Sequence, residues 1–96
     1  MKTFEDLKFK EKKSGGVYAR LEFDNGYVLS VVASKNHYCT PKKNLTNPGD
    51  YLYFEVAVFS PDSGKFTREF FEDHDDDVLG WQSKDQINNL ISLIES

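Results

Sequence analysis

The sequence predicts an α+β fold: an antiparallel sheet of four to five strands, built as two hairpins, with one C-terminal amphipathic helix packed on one face. Three observations predict it. Residues 17–23 alternate apolar and polar side chains with the period of a strand that has one face in a core. Asn25-Gly26 follows at once, the strongest short signal for a chain reversal. Near the end, Ile87, Leu90, Ile91 and Ile94 recur at helical spacing behind a Ser83-Lys84-Asp85-Gln86 capping box.

Each element has its own justification. Leu7 and Phe9 alternate with Lys8 and Lys10, as a half-buried edge strand would, and the lysines discourage edge-to-edge pairing. Ser14-Gly15-Gly16 breaks that run. Val17, Ala19, Leu21 and Phe23 then share one face, leaving Tyr18, Arg20 and Glu22 on the other. Asn25-Gly26 predicts a type I′ turn, which needs positive φ at both central residues. The return strand runs from Tyr27 to Ala33 and is rich in β-branched residues. Residues 34–49 carry two prolines, three asparagines and three lysines with no period, which predicts a long loop of the functional or mobile kind. Tyr51 to Phe59 reads as the central strand, with Leu52, Phe54, Val56 and Val58 on one face and Tyr51, Tyr53, Glu55, Ala57 and Phe59 on the other. Pro61-Asp62-Ser63-Gly64 predicts a turn, and Lys65 to Phe71 completes the second hairpin. The closing helix, about twelve residues long, is marginal alone and must dock on the sheet.

Composition bounds the function. Ninety-six residues suit one domain spanning 1–96. Aromatics at 15% can supply a core although 29% of residues are charged, which argues against a disordered chain. No apolar run approaches the ~18 residues of a membrane span, and no apolar block follows Lys2, so neither membrane insertion nor a secretory signal is expected. Cys39 is the sole cysteine, so no intrachain disulfide can form, and the cytoplasm is the expected compartment. Nine bases and five acids give residues 1–48 a net +4, whereas three bases and eleven acids give residues 49–96 a net −8. The bases are too dispersed for a DNA-binding face, so nucleic acid is disfavoured as a partner.

The candidate site residues fall in two groups. Glu72, Asp73, Asp75, Asp76 and Asp77, with Glu69 before them and His74 among them, form an acidic run that could meet a basic partner surface or hold a hard cation. The run lacks an EF-hand's glycine and spaced glutamate, and it reads equally as a solvated segment before a helix. Tyr51 and Tyr53, with Tyr18 and Tyr27, predict a tyrosine-bearing sheet face suited to a partner, or to plain cross-strand packing. His37 and Cys39, near Lys35, Lys42 and Lys43, could form a nucleophilic pair, but a lone cysteine more often packs as a small hydrophobe. Zinc would need more cysteines, and no phosphate-cradling glycine loop is present. Trp81 reads as a core anchor before the helix cap. No cofactor or metal is expected.

Asp24-Asn25-Gly26-Tyr27, Ser30-Val31-Val32, Tyr53 to Val58 and Asp76-Asp77-Val78-Leu79-Gly80-Trp81 before a short helix carry a resemblance. Together they resemble a family of small bacteriophage proteins with a Phe-x-Asn-Gly-Tyr-x-x-Ser-Val-Val hairpin and an Asp-Asp-Val-(Ile or Leu)-Gly element before the final helix. The Lys-rich 34–49 segment and Phe59 depart from that pattern. The resemblance implies a phage or prophage origin and, by analogy, action on a host enzyme or defence system. The expected function is therefore a non-enzymatic module that binds a host protein through its acidic run or its tyrosine face. The alternative is a small-molecule or nucleotide-binding domain with residues 34–49 as a lid and Tyr38, Lys42 and Lys43 as contacts. An exposed edge or tyrosine face would also permit a symmetric homodimer.

Overall fold

A computed structural model describes residues 2–71 and 76–96. Among these described residues six strands form one antiparallel sheet: β1 (Lys10–Glu11), β2 (Val17–Glu22), β3 (Val28–Ala33), β4 (Phe54–Phe59), β5 (Phe66–Thr67) and β6 (Val78–Gln82). One helix, α1 (Lys84–Glu95), follows, and single 3-10 turns sit at Phe4–Asp6 and Pro48–Asp50. Strands β1 to β4 pair in chain order, and the far edge of β4 is shared by β5 and β6. The α+β arrangement, with the helix on one sheet face, is as the sequence predicts.

The alternation in β2 does what its period requires. Val17, Ala19 and Leu21 are buried against Leu29, Val31 and Ala33 of β3 and Phe54, Val56 and Val58 of β4. The helix closes this face with Ile87, Leu90, Ile91 and Ile94. Its predicted cap is present: Ser83 Oγ accepts from the Gln86 amide at 3.2 Å, and Gln86 Oε1 accepts from the Ser83 amide at 2.9 Å. Three further bonds fasten it. Asn88 Oδ1 accepts from the Phe4 amide at 2.7 Å, Asn25 Nδ2 donates to the Ile94 carbonyl at 2.7 Å, and Glu95 Oε1 accepts from the Lys2 amide at 3.2 Å.

Four details differ from expectation. The reversal after β2 is not type I′, because Gly26 has φ +93° while Asn25 does not enter the positive-φ region. Phe23 and Tyr27 instead close a three-residue loop, with the Gly26 amide donating to the Phe23 carbonyl at 2.9 Å, the pattern of a type I turn followed by a left-handed glycine. The sixth strand, β6, lies where no strand was expected. Its pairing with β4 slips between Phe54 and Val56 in a β-bulge, and that extra residue hides the period from the sequence. At the start of the central strand, Tyr51 is buried at 2% exposure and Leu52 is 67% exposed, the reverse of the predicted facing. The 3-10 turn Pro48–Asp50 ends at Tyr51 and sets it inward before β4 begins at Phe54. Finally, residues 34–49 pack onto the sheet: Cys39 is buried, Thr40 bridges Tyr53, and the Leu52 amide donates to the Thr40 carbonyl at 2.7 Å. These bonds join the segment at Thr40 to the start of the central strand.

Candidate functional site

The helix covers one sheet face and, among the described residues, leaves the other open. Strand register sets the composition of that open face in three rows. Lys10, Tyr18, Val32 and Glu55 make the first. Arg20, Ser30, Ala57 and Val78 make the second, and Glu22, Val28, Phe59 and Phe66 the third. Phe59 and Phe66 stack at 4.7 Å, and the Arg20 guanidinium lies 4.8 Å above the Phe59 ring. Two concavities meet here. One, of about 610 Å³, is walled by Lys12, Lys13, Ser14, Tyr18, Arg20 and Ser30 among others. The second, about 200 Å³, shares Arg20, Ser30 and Val32 with it and extends to His37, Glu55 and Phe66.

An aromatic ledge stands beside this face. Trp81 is 54% exposed and packs on Tyr38 with ring centroids 5.2 Å apart. Its backbone is left-handed, with φ +53°, which for a side chain of this size costs on the order of 1–2 kcal/mol. The bulge explains the geometry. Gly80 precedes Trp81, and a Cβ on Gly80 would lie 2.6 Å from Tyr38 Cβ, so only glycine admits this approach. The Trp81 amide then donates to the Tyr38 carbonyl at 2.9 Å, while Glu55 Oε1 accepts from the Tyr38 amide at 3.2 Å. Lys42 Nζ sits 5.6 Å from the Tyr38 ring centre. Trp81 is thus held outward, which corrects its expected role as a core anchor.

The remaining predicted residues scatter. Tyr51 does not belong to the tyrosine face: its hydroxyl is committed inside, donating to the Lys43 carbonyl at 2.5 Å and accepting from the Leu45 amide at 2.8 Å. Burial pushes its phenol up. Tyr27 packs edge-on against Phe70 and donates to Glu69 at 2.6 Å, leaving Tyr18 and Tyr53 as the exposed pair. Glu72, Asp73 and Asp75, with His74, lie outside the described residues. Asp76 and Asp77 are exposed just before β6, and Asp77 stands 3.9 Å from Arg68.

His37 and Cys39 do not form a nucleophilic pair. The Cys39 thiol, 2% exposed, donates to the Ser34 carbonyl at 3.1 Å, and burial pushes it up. His37 instead meets Ser34 Oγ at 2.5 Å through Nδ1 and lies 4.0 Å from Glu55 through Nε2. Burial holds the imidazole below its ordinary value, outweighing the attraction of Glu55, and Lys12 pushes the same way as burial. Ser34 is itself only 3% exposed and accepts from the Asn36 amide, so its oxygen serves the turn. Among the described residues no group of three or more His, Cys, Asp or Glu could hold a metal ion, and no helix is long and apolar enough to cross a membrane.

Sequence reasoning missed Trp81 and the Arg20 groove. A glycine inside an apolar run, Val78-Leu79-Gly80-Trp81, was the available signal for a bulge. Compared with protein-family models, curated proteins and solved structures, the chain matches none.

Proposed function

We propose that this protein is a non-enzymatic interaction module whose contact surface is the open sheet face, with Trp81 as its anchor. The observation that carries this reading is the strained, outward Trp81. A glycine there would remove the strain, yet the fold spends stability to present the ring. Half-exposed Trp, Tyr and Arg are the residues that dominate protein–protein binding energy, and Trp81, Tyr38, Tyr18 and Arg20 all belong to this side of the molecule. The burial of Cys39, the candidate nucleophile, supports binding over turnover. In the setting that the phage resemblance implies, the partner is a host protein, and Asp76 and Asp77 flank the contact.

The experiment is affinity capture from bacterial lysate with tagged wild type, Trp81→Gly and Leu93→Ser. Leu93 is exposed on the helix, away from the sheet's open face, and serves as the control. A partner retained by wild type and Leu93→Ser but lost from Trp81→Gly is the expected result. Equal capture by all three proteins refutes the anchor. Lys42 over the Tyr38 ring favours a second reading, a planar anionic small molecule on the ledge. A thermal shift with mononucleotides that disappears in Tyr38→Ala would select it.

A further inference from the structure

The geometry points to an anion-recognition groove at Arg20, built to take a carboxylate-rich segment of a partner protein. The assignment rests on the interaction reading above and names the partner chemistry that fits the same face.

Charge supplies the first argument. The protein carries a net charge of −4, yet the wall of the 610 Å³ groove reverses that sign: Lys12, Lys13 and Arg20 face a single carboxylate, Glu11. Among the described residues none of these three cations has an ion pair. Their charge is left for something from outside. Three hydroxyls, those of Ser14, Tyr18 and Ser30, line the same wall and can donate to carboxylate oxygens.

The setting of Arg20 supplies the second. Its guanidinium carbon lies 4.8 Å from the Phe59 ring centre, which ties the group to the sheet face, and among the described residues the guanidinium N–H groups make no hydrogen bond. A planar fork held in this way matches a carboxylate with two parallel hydrogen bonds, a geometry that lysine cannot offer. Arg20 also stands where the two concavities join, beside Val32 and the Phe59–Phe66 stack. An occupant therefore needs an acidic group next to apolar ones, which describes an extended acidic-aromatic polypeptide. A nucleic-acid backbone fits poorly, because Glu22 and Glu55 interrupt any continuous basic track on the face.

The probe is a synthetic hexapeptide alternating glutamate and phenylalanine, titrated into the 15N-labelled full chain and followed at the Arg20 Nε–H resonance. A lysine–phenylalanine counterpart, a six-base oligothymidylate and inorganic phosphate are the comparison arms. The acidic peptide should shift Arg20 and Tyr18, and binding should weaken as salt is raised. Arg20→Gln should lose about tenfold in affinity or more, and Arg20→Lys should recover only part of it. Melting temperatures of both variants near wild type exclude a folding defect. No Arg20 shift, equal binding by Arg20→Gln, or tighter binding of the lysine peptide, the oligothymidylate or phosphate overturns the assignment. Trp81-dependent capture of a partner alongside a silent groove would overturn this inference and leave the broader reading standing.

Discussion

Replacing Trp81 separates what the fold needs from what the surface is for. Both Trp81→Gly and Trp81→Ala remove the ring and its packing on Tyr38, a loss of about 0.5–1.5 kcal/mol common to the two. They differ only in the backbone. At φ +53° alanine keeps the left-handed cost of about 1–2 kcal/mol, whereas glycine is free of it. Glycine in turn gives up about 0.4–1 kcal/mol through the greater freedom of its unfolded chain. The balance leaves Trp81→Gly more stable than Trp81→Ala by about 0.5–1 kcal/mol. In a domain of this size that is a gap of about 3–6 °C in melting temperature. Urea denaturation and calorimetry of the two variants side by side measure it, with partner capture as the parallel readout. An alanine variant as stable as the glycine variant, or more so, would show that the backbone at this position is not held left-handed, and the case for an anchor kept at a cost would fall with it.

Three other perturbations test the rest of the molecule. Ile91→Ala, at a fully buried position under the sheet, should lower unfolding free energy by about 2–5 kcal/mol, read from urea midpoints. Tyr51→Phe strips one hydroxyl from the Lys43 carbonyl and the Leu45 amide and should cost about 1–2 kcal/mol in the same assay, whereas Tyr53→Phe, exposed, should be near neutral. Because His37 is held below its ordinary value of 6.5, the unfolded chain takes up the proton first. Stability present above that value is therefore lost as pH falls through it, until the folded ring protonates as well. His37→Gln should flatten this loss between about pH 8 and pH 5 in a thermal-melt series.

Local pattern was legible where one residue type repeats with one period. The alternation from Val17 to Phe23, the Asn25-Gly26 reversal and the Ser83–Gln86 cap each lie within a few residues, and each is found where the sequence put it. What escaped depends on chain segments meeting from a distance. Tyr51 and Leu52 trade places because a 3-10 turn shifts the phase just before the strand starts. The bulge at Gly80 and Trp81 answers to Tyr38, more than forty residues earlier, and no periodicity records that approach. The Arg20 groove gathers side chains from the β1–β2 turn, β2 and β3, so its basic character is invisible in half-chain charge totals. Asn25 shows both sides at once: its place in the turn was readable, its bond to the Ile94 carbonyl was not.

That same closing helix dictates when the molecule can become itself during synthesis. A ribosome that has released residues up to β4 has delivered Leu29, Val31 and Val56, with Phe4 to pack on Phe54, but not the helix that completes their cover. The nascent sheet must wait, oily side outward and within reach of chaperones, until Ile87 to Ile94 clear the exit tunnel and the first turn at Phe4 can clasp Asn88.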